Sequence, residues 1–416
     1  MKILHISTQS SSGGATRAML RLHFGLKEKG VDSSIFSLTG KAISDEFYLY
    51  KNKRDIKTRI RNVLLSRLNK KEIELLNSAN RKHEKFSTNE SPYKAEFIRQ
   101  LPDADLYHLH WVTDFVDIPT FFEQVKKPVV WTFHDMNPFT GGCHYDEGCG
   151  KYANGCGACP QLASDQKDDL SKKIFEQKVQ AVQQIPDHKL IIAGNSRWTT
   201  EEARKSRIFE GKKIKTVHLG VNHNLFKPRD TAAIRPLFGI PEDATVLLFG
   251  APNVANRRKG FSELKEAVEK LRTKTPELVL ISFGEGDASF DTDIHHIQLG
   301  RIENNLFLSM VYNAADLFVI PSLQETFGQT CLEAMACGVP CAGFDTGGIP
   351  DMINPGETGY LAETGNPVSL AEAIVNTLGK KEELGKNARK MVEASFTLGH
   401  QAEAYVKVYN ELLSSC

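Results

Sequence analysis

The chain has 416 residues, of which 41% are hydrophobic and 25% are charged, proportions that are typical of a globular protein and exclude a largely disordered one. Fifty-two basic and 51 acidic residues leave a formal net charge of +1, so the overall charge argues against a nucleic-acid partner. The length is sufficient for two domains of ordinary size, each with its own hydrophobic core.

The first ten residues, MKILHISTQS, lack the apolar segment of a signal peptide, and no apolar run approaches the roughly 20 residues of a membrane span. We therefore expect a cytoplasmic protein. In that compartment the eight cysteines are expected to be reduced, catalytic or metal-bound rather than paired in disulfides.

In the N-terminal half, residues 2–8 (KILHIST) predict a strand and residues 10–14 a flexible turn, followed by an amphipathic helix that ends at Gly30. This order places Gly13 and Gly14 where a bound group would meet the carboxyl end of the strand. Further strands are predicted at 105–112 (DLYHLHWV) and 128–135 (PVVWTFHD). His134 lies at the end of the second one, where open α/β sheets place functional groups.

Residues 51–71 carry nine basic residues and one acidic residue, with apolar side chains on one helical face. Such a basic amphipathic helix suits the surface of an anionic membrane. The alternative is a solvated basic face that packs on the domain core, and the sequence leaves both interpretations open.

Four cysteines lie between residues 139 and 162 with the spacing C-x5-C-x6-C-x2-C: Cys143, Cys149, Cys156 and Cys159. Four thiolates with a tight final pair predict a structural zinc site without an open coordination position. A redox-labile thiol cluster and simple burial of the cysteines are the alternatives, and His144 could replace one sulfur ligand.

From residue 245 onward, short apolar strands alternate with helical segments, which predicts a second parallel, doubly wound α/β domain. The strands are predicted at 245–251, 278–284, 295–300, 316–322 and 339–345. The boundary between the two domains is predicted near residue 221.

The most informative motif is the segment 321–340 (PSLQETFGQTCLEAMACGVP), which follows an apolar strand. Gly328 opens a short helix, so the turn presents free backbone N–H groups and the positive end of a helix dipole, which suits a phosphate. Glu325 and Glu333 bracket this turn. A carboxylate close to an anion site needs neutral hydrogen-bond donors, and sugar hydroxyls are such donors.

Glu325 and Glu333, with Pro321 and Ser322 before them and a helix after them, resemble the E-x7-E signature of retaining GT-B glycosyltransferases of family 4. The resemblance implies an α/β GT-B fold of two Rossmann-like doubly wound domains that face each other across a cleft. Residues 1–221 would bind the acceptor, residues 222–395 would bind a nucleotide sugar, and residues 396–416 would form a helix that packs back on the first domain. The cysteine-rich insertion resembles one in a subgroup linked to bacterial exopolysaccharide synthesis.

The resemblance also implies roles for single residues. His134 would contact the donor sugar, Glu325 would position its ring, and Lys259 with Arg258 would clamp the diphosphate. The family's arginine after the strand glycine is Ala251 here, so Arg257 or Arg258 must replace it, and Arg258 is preferred. The other residues implied in donor binding are Gly13, Gly14, Arg257, Arg301, Ile302, Thr326, Phe327, Gly328, Gln329, Thr330 and Glu333, the last of them at the ribose.

The implied reaction moves a sugar, with retention of configuration, from a UDP- or GDP-sugar to a glycan or lipid-linked oligosaccharide in bacterial surface polysaccharide synthesis. The resemblance also implies a peripheral location at the inner face of the cytoplasmic membrane. Fixed cations and N–H groups would stabilise the departing diphosphate, so no catalytic metal is expected. The alternatives are a GT-B nucleotide-sugar epimerase, a phosphorylase with pyridoxal phosphate and a non-catalytic sugar-nucleotide-binding protein.

Overall fold

The structure, a computed structural model, describes residues 1–51, 84–272, 277–287, 289–290 and 294–415. The chain divides into two compact units. Unit 1 consists of Met1–His218 with Gln401–Cys416, and unit 2 of Leu219–His400. The predicted limits, 1–221, 222–395 and 396–416, differ from these divisions by a few residues. The predicted basic helix of residues 51–71 lies, from residue 52 onward, outside the described residues.

Unit 1 is built on a parallel sheet with helices between its strands. The elements are β1 (Lys2–Gln9), α1 (Gly14–Glu28), β2 (Asp32–Thr39), β3 (Phe47–Leu49), α2 (Lys94–Arg99), β4 (Leu106–Leu109), α3 (Ile118–Gln124), β5 (Val129–Phe133), α4 (Leu170–Gln183), β6 (Leu190–Gly194), α5 (Arg197–Lys205) and β7 (Lys213–Thr216). The seven strands follow the order β3-β2-β1-β4-β5-β6-β7.

Unit 2 is also built on a parallel sheet, which has six strands. Its elements are α6 (Thr231–Ile234), β8 (Thr245–Asn253), α7 (Phe261–Arg272), β9 (Leu278–Glu285), β10 (His295–Gln298), α8 (Asn305–Ala314), β11 (Leu317–Ile320), α9 (Gln329–Ala336), β12 (Cys341–Phe344), β13 (Gly359–Ala362), α10 (Pro367–Leu378) and α11 (Lys381–Ser395), and α12 (Leu398–Ser414) follows. The strand order is β10-β9-β8-β11-β12-β13. No helix formed by the described residues has an apolar stretch long enough to cross a membrane.

The central strands are apolar because both faces of each sheet are covered. β5 (VVWTF) and β11 (LFVI) are buried at every position. Parallel sheets flanked by helices on both sides require such continuous apolar runs, whereas a half-exposed strand would alternate. These two strands are therefore recognisable in the sequence without any knowledge of their neighbours.

Each sheet has one point at which the chain reverses the direction in which it adds strands. In unit 1 it lies between β1 and β4, and in unit 2 between β8 and β11. The connections on either side leave in opposite directions there, so a crevice opens at the carboxyl ends of the two strands, where ligands bind in open α/β sheets. The loop after β8 and the loop after β11 therefore lie side by side.

The last helix, α12, packs on the sheet of unit 1 although it follows unit 2 in the chain. Its buried side chains join a cluster with residues of β1, α1, β4, β5 and β6; from α12 the cluster includes Ala402, Tyr405, Val408, Tyr409 and Leu412. Two tyrosine hydroxyls also bond to the sheet, Tyr405 to Thr132 Oγ1 at 2.6 Å and Tyr409 to His108 Nδ1 at 2.7 Å. Residues 401–414 are thus part of the core of unit 1.

Candidate active site

The turn between β11 and α9 is the centre of the candidate site in unit 2. The chain leaves β11 at Pro321 and enters α9 through Gly328, whose φ of +100° lies in the left-handed region. Since this N-cap residue is a glycine, it places no side chain over the first N–H groups of α9. The predicted order of strand, glycine turn and helix is therefore found in the structure.

Two cations from the loop after β8 reach the carboxylate of Glu325. Lys259 Nζ lies 2.5 Å from Glu325 Oε2, and Arg258 Nη1 lies 3.7 Å from the same oxygen. Arg258 Nη1 also donates to the Gln324 carbonyl at 2.8 Å, and the Arg258 carbonyl accepts from the Leu323 N–H at 2.8 Å. The three charged side chains are 11–15% exposed. A buried carboxylate is thus held by two cations at the carboxyl edge of the sheet.

This close approach of the two loops depends on glycine. Gly260 has a φ of +67°, and a Cβ atom added to it would lie 1.7 Å from the Pro321 carbonyl oxygen. Gly347 has a φ of +58°, and its Cβ would lie 1.8 Å from the Glu325 carbonyl oxygen. That oxygen accepts a hydrogen bond from the Gly348 N–H at 2.9 Å. At Gly260 and at Gly347, a residue with a side chain would therefore displace the backbone of the site.

The charge of Glu325 is decided by competing effects. Burial acts to raise the pKa of its carboxyl group, whereas the charges of Lys259 and Arg258 and hydrogen bonds from Lys259 and the Thr326 backbone lower it. The lowering prevails, so the pKa lies below its usual range. The carboxylate is therefore ionised at neutral pH and neutralises part of the charge of the two cations.

The other two predicted arginines lie elsewhere. Arg257 forms two hydrogen bonds to Glu263, at 2.8 and 2.5 Å, and its side chain is 61% exposed. Arg301 pairs with Glu285 at 3.0 Å and with Glu303 at 3.3 Å. Of Arg257, Arg258 and Arg301, it is therefore Arg258 whose side chain lies beside Glu325.

Two predicted donor-binding side chains are enclosed in the core of unit 2. Glu333 is 0% exposed and accepts a hydrogen bond from the Tyr312 hydroxyl at 2.9 Å. The Phe327 ring is buried, with its centroid 6.2 Å from that of Phe396. Any contact from Phe327 to a ligand would come from its backbone, and the ribose role of Glu333 stays a prediction. The remaining predicted residues that are partly exposed are Ile302, Gln329 and Thr330.

In unit 1, His134 follows β5 at the carboxyl edge of the sheet. Together with His110, Trp111 and Asp135 it lines a pocket that also contains Asn89. Trp111 Nε1 donates to Asp135 Oδ2 at 2.8 Å. Asn89 is 3% exposed, and its amide has no hydrogen-bond partner within the described residues. The pocket therefore combines an aromatic ring with unsatisfied and charged polar groups.

Gly13 and Gly14 lie at the same edge of unit 1 as His134. Gly13 caps α1 with a φ of +95°, and a Cβ atom added to it would meet nothing within 4 Å. Gly14 is the first residue of α1. The predicted glycine turn thus exists at the carboxyl end of β1, and its role toward a donor stays a prediction.

A line of buried hydrogen bonds that the sequence did not indicate leads from His134 to α1. His134 Nε2 lies 3.0 Å from His110 Nδ1, and His110 Nε2 lies 2.9 Å from His5 Nδ1. His5 Nε2 lies 3.1 Å from Ser33 Oγ, which in turn lies 2.8 Å from His23 Nδ1. We call these five residues the histidine chain.

Part of this arrangement had a signal in the sequence. Residues i and i+2 of a strand share a face, so His108 and His110 of HLH must lie side by side. Within the described residues, one group of three or more potential metal ligands has all its ligand atoms within 4.8 Å of one another. It consists of His5, His108 and His110. Their ring nitrogens, however, already bond to other side chains, those of His108 to Tyr409 and Thr132 at 2.7 Å each. We therefore assign no metal to this group.

The four cysteines of the predicted zinc site line one small pocket. Cys156 Sγ accepts from the Gly141 N–H at 3.2 Å, and burial raises the pKa of the Cys156 thiol to about 12. His144 is committed elsewhere, with its ring nitrogens 2.6 Å from Asp135 Oδ2 and 3.0 Å from Ser87 Oγ. Among the described residues, the cysteines do not form a trio of sulfurs all within 4.8 Å. Zinc, with Zn–S bonds of about 2.3 Å, would require them to move inward.

The fold and the site define a class of protein. Two Rossmann-like units with parallel sheets, and charged side chains where the order of strand addition reverses, are the features of the GT-B fold that the sequence predicts. Residues 243–380, which lie within unit 2, match the family described as glycosyl transferases group 1. This match includes Arg258, Lys259 and Glu325.

Comparison with curated proteins gives partial matches. The chain is 33% identical over 215 residues to the N-acetyl-alpha-D-glucosaminyl L-malate synthase of Bacillus anthracis, covering 49% of this chain and 55% of that protein. It is 28% identical over 269 residues to the D-inositol 3-phosphate glycosyltransferase of Corynebacterium diphtheriae, covering 60% of this chain and 61% of that protein. The chain thus spans about half the length of most of the first curated relatives that it matches.

Solved structures resemble the whole chain. The sucrose-phosphate synthase of Thermosynechococcus elongatus has a TM-score of 0.66 at 20% identity and full coverage of both chains. Anabaena HepE in complex with UDP and glucose has a TM-score of 0.64 at 16% identity, with 99% of both chains covered. WaaG, a glycosyltransferase involved in lipopolysaccharide biosynthesis, has a TM-score of 0.62 at 15% identity, covering 98% of this chain and 99% of that one. At these identities the likeness establishes the fold, and the GT-B prediction is confirmed.

Proposed function

We propose that this protein is a retaining glycosyltransferase that transfers a sugar from a nucleotide-diphosphate sugar to a hydroxyl group of an acceptor. The observation that carries the proposal is the cluster of Lys259, Arg258 and Glu325 in unit 2. It combines two fixed cations with one carboxylate beside the N-terminus of α9, where both a diphosphate and sugar hydroxyls would find partners.

The cluster suggests how donor binding changes the site. In the structure, the two cations interact with Glu325. A diphosphate carries more negative charge than one carboxylate, so it would draw Lys259 and Arg258 toward itself. Glu325 would then be free to accept hydrogen bonds from the hydroxyls of the sugar ring.

In the reaction, the bond between the anomeric carbon and the diphosphate oxygen breaks and the electron pair leaves with the diphosphate. Lys259, Arg258 and the N–H groups at the start of α9 stabilise this charge more in the transition state than in the bound donor. The acceptor oxygen forms the new bond on the same face of the ring, and its proton passes to the departing phosphate oxygen. Retention of configuration follows from that geometry, which differs from the two-carboxylate scheme of glycosidases.

For the donor, we propose a UDP-sugar ahead of a GDP-sugar, on the basis that the HepE structures contain UDP, UDP with glucose, or UDP-glucose. The acceptor would bind in unit 1, in the pocket of Trp111, His134, Asp135 and Asn89. Aromatic rings combined with amide and carboxylate groups suit a polyhydroxylated molecule. The unsatisfied amide of Asn89 supports a polar ligand there.

Two acceptor classes remain to be compared. The cysteine-rich segment favours a glycan or lipid-linked oligosaccharide of a bacterial surface polysaccharide, reached at an anionic membrane through residues 51–71. The curated relatives are instead named for L-malate and D-inositol 3-phosphate, which are small anions. We propose the saccharide acceptor, and transfer to a small anion alone would overturn that choice.

The decisive experiment measures donor use with single substitutions. UDP-, GDP- and ADP-sugars are tested for thermal stabilisation, slow donor hydrolysis and transfer to both acceptor classes. Lys259→Ala and Glu325→Ala are each expected to lower kcat about 10²- to 10³-fold, as loss of a transition-state partner does elsewhere. Lys270→Ala, which removes an exposed lysine of α7, serves as the control.

The products separate the alternatives. An anomeric configuration equal to that of the donor supports retention, and an inverted product contradicts it. Conversion of the donor to another nucleotide sugar without acceptor would indicate an epimerase, and nucleotide binding without turnover a binding protein. Near-normal turnover in Lys259→Ala or Glu325→Ala would rule out the proposed site.

We also propose that the cysteine cluster holds a structural zinc ion. The Lys178 ammonium group is buried beside Cys143 and Cys156, and burial lowers its pKa to about 8 against the opposing effect of these thiols. A zinc ion with four thiolates carries a net negative charge, which would offset this buried cation. Protein purified without chelator is expected to contain one zinc per chain. A metal-free, fully folded sample would exclude the ion.

A further inference from the structure

The histidine chain is buried except at the end formed by His134. His5 and Ser33 are fully buried, His23 and His110 nearly so, and His134 lies partly exposed at the end that reaches the pocket of unit 1. Its links join α1 and the strands β1, β2, β4 and the end of β5. The line therefore connects the helix that follows the glycine turn with the pocket of unit 1.

The three imidazoles nearest to the pocket are neutral at physiological pH. Burial lowers the pKa of His5 and His110 well below the ordinary value, and neighbouring histidines lower it further. Burial also lowers the pKa of His134 to about 4, although Asp135 opposes this effect. Burial has the same effect on His23, whose pKa is about 4. Each ring therefore carries a single N–H group.

A line of neutral imidazoles can be protonated in two ways. A ring that accepts a hydrogen bond at one nitrogen must donate from the other, so the two links among His5, His110 and His134 point in the same direction. In one arrangement His134 accepts at Nε2 and carries its proton on Nδ1. In the other it donates from Nε2 and leaves Nδ1 as an acceptor. Ser33 limits the choice at the other end of the line, because its single hydroxyl proton can be donated to His5 or to His23 but not to both.

His108 lies beside this line without belonging to it. Its ring centroid is 4.1 Å from that of His110, yet its nitrogens bond to Tyr409 and Thr132. It packs against the line and ties it to α12. His108 thus takes no part in the hydrogen bonds of the histidine chain.

We propose that His110, His5, Ser33 and His23 are positioning residues that set the tautomer of His134 from the side of α1, and so decide whether His134 Nδ1 donates or accepts a hydrogen bond. The value of this choice for catalysis rests on the proposed function, because His134 lines the pocket that is assigned there to the acceptor. The coupling of the tautomers does not rest on it. Control of a histidine tautomer by a buried partner has large effects in other enzymes.

The test removes one oxygen atom from the line. Ser33→Ala breaks both links at Ser33 Oγ. Ser34→Ala is the matched control, because Ser34 is the adjacent buried serine of β2 and its hydroxyl bonds to the Ile3 carbonyl at 3.4 Å instead. Two-bond proton–nitrogen NMR spectra of donor-free protein labelled at its histidine nitrogens report the tautomer of each ring.

The expected result is a change that spreads beyond the site of substitution. In Ser33→Ala, the resonances of His5, His110 and His134 shift to a different tautomer population, while those of His295 in unit 2 stay in place. Ser34→Ala gives the wild-type spectrum. An unchanged His134 pattern in Ser33→Ala overturns the proposal. His5→Gln interrupts the line at a second point and repeats the test if Ser33→Ala does not fold.

Kinetics then test the functional part. Ser33→Ala is expected to lower kcat about tenfold with the donor KM little changed, and Ser34→Ala to leave both unchanged. A shifted His134 spectrum with unchanged kcat would overturn the catalytic part of the proposal. Absence of sugar transfer by the wild-type protein would refute the proposed function, whereas the spectra of donor-free protein would still decide the coupling.

Discussion

Arg257, Arg258 and Lys259 are consecutive residues, yet they have different partners. Asn256 accepts a hydrogen bond from the Arg258 N–H at 2.9 Å and so starts the 3-10 turn that these three residues form. The turn directs Arg257 to Glu263 and the other two side chains to Glu325. A cluster of cations in a sequence therefore need not act as a unit, and the two that meet the carboxylate are the ones assigned to the diphosphate.

The pairing of Glu325 with Lys259 predicts a pH-dependent contribution to stability. Because the folded-state pKa of Glu325 lies below its ordinary value of 4.5, the pair stabilises the fold above that value and loses its effect as the pH falls through the folded-state pKa. Lys259→Ala is expected to lower the free energy of unfolding by about 1–3 kcal/mol at pH 7, since it removes a hydrogen-bond partner of a buried carboxylate and leaves the more distant Arg258 beside it.

Urea unfolding from about pH 7 down to about pH 3 measures this effect, because the loss is expected below about pH 4.5. The difference between wild type and Lys259→Ala is expected to narrow as the pH falls. Lys270→Ala, on the exposed face of α7, should follow the wild-type curve throughout. A difference that is constant over the whole range would contradict the assigned charge of Glu325.

At the scale of elements, the site depends on how closely the loop after β8 approaches the end of β11. Gly260→Ala would place a Cβ atom 1.7 Å from the Pro321 carbonyl, and we expect a loss of more than about 2 kcal/mol in the stability of unit 2. Gly239 is a matched control, since its φ of +66° nearly equals that of Gly260 and its Cβ would meet nothing within 4 Å.

Chemical denaturation of the two variants separates backbone strain from the clash. Gly239→Ala should cost about 1 kcal/mol, the price of the left-handed conformation alone. Gly260→Ala should cost more and should also weaken binding of a UDP-sugar, because the neighbouring Lys259 is displaced. Equal losses in both variants would mean that the contact with Pro321 is unimportant.

Elements with strong local patterns were predictable from the sequence, and those set by distant partners were not. The apolar run of β11, the glycine turn and α9 were predicted because each is specified by adjacent residues. β2 (DSSIFSLT) was not, since its buried serines hide the apolar pattern. In the same way Lys259 and Glu325 were separate candidates, and their contact follows from the adjacency of β8 and β11, which no local pattern specifies.

The histidine chain was not predicted either, because it too depends on which strands are neighbours in the sheet. Its members come from separate segments of the chain, so no local pattern indicates that their side chains meet. Their common line arises from the order β2-β1-β4-β5 within the sheet. The enclosure of Glu333 was also not foreseeable, because its partner Tyr312 lies on α8, ahead of β11 in the chain.

At the scale of the whole molecule, unit 1 consists of two segments that are far apart in the chain. This arrangement predicts the effect of a truncation. Removal of residues 401–416 would expose the apolar surface of β1, α1, β4, β5 and β6 that α12 covers. A large apolar side chain contributes about 1.5–3 kcal/mol when it is fully buried, so the loss of several should unfold unit 1.

Hydrogen exchange followed by mass spectrometry resolves the two units in the truncated protein. Amides of unit 1 are expected to lose protection, while those of residues 219–400 keep theirs and unit 2 still binds a nucleotide sugar. Unit 2 serves here as the internal control. Full protection of β1 and β5 after truncation would contradict the assignment of α12 to the core of unit 1.

The distant position of α12 also bears on synthesis by the ribosome. The ribosome makes the chain from the N-terminus, so residues 1–218 are made first. Their core is completed only when residues 401–414 follow, after all of unit 2. Unit 2 therefore has its complete set of elements sooner than the unit that precedes it. Until residues 401–414 have been made, the nascent first unit carries an apolar surface that a chaperone could bind.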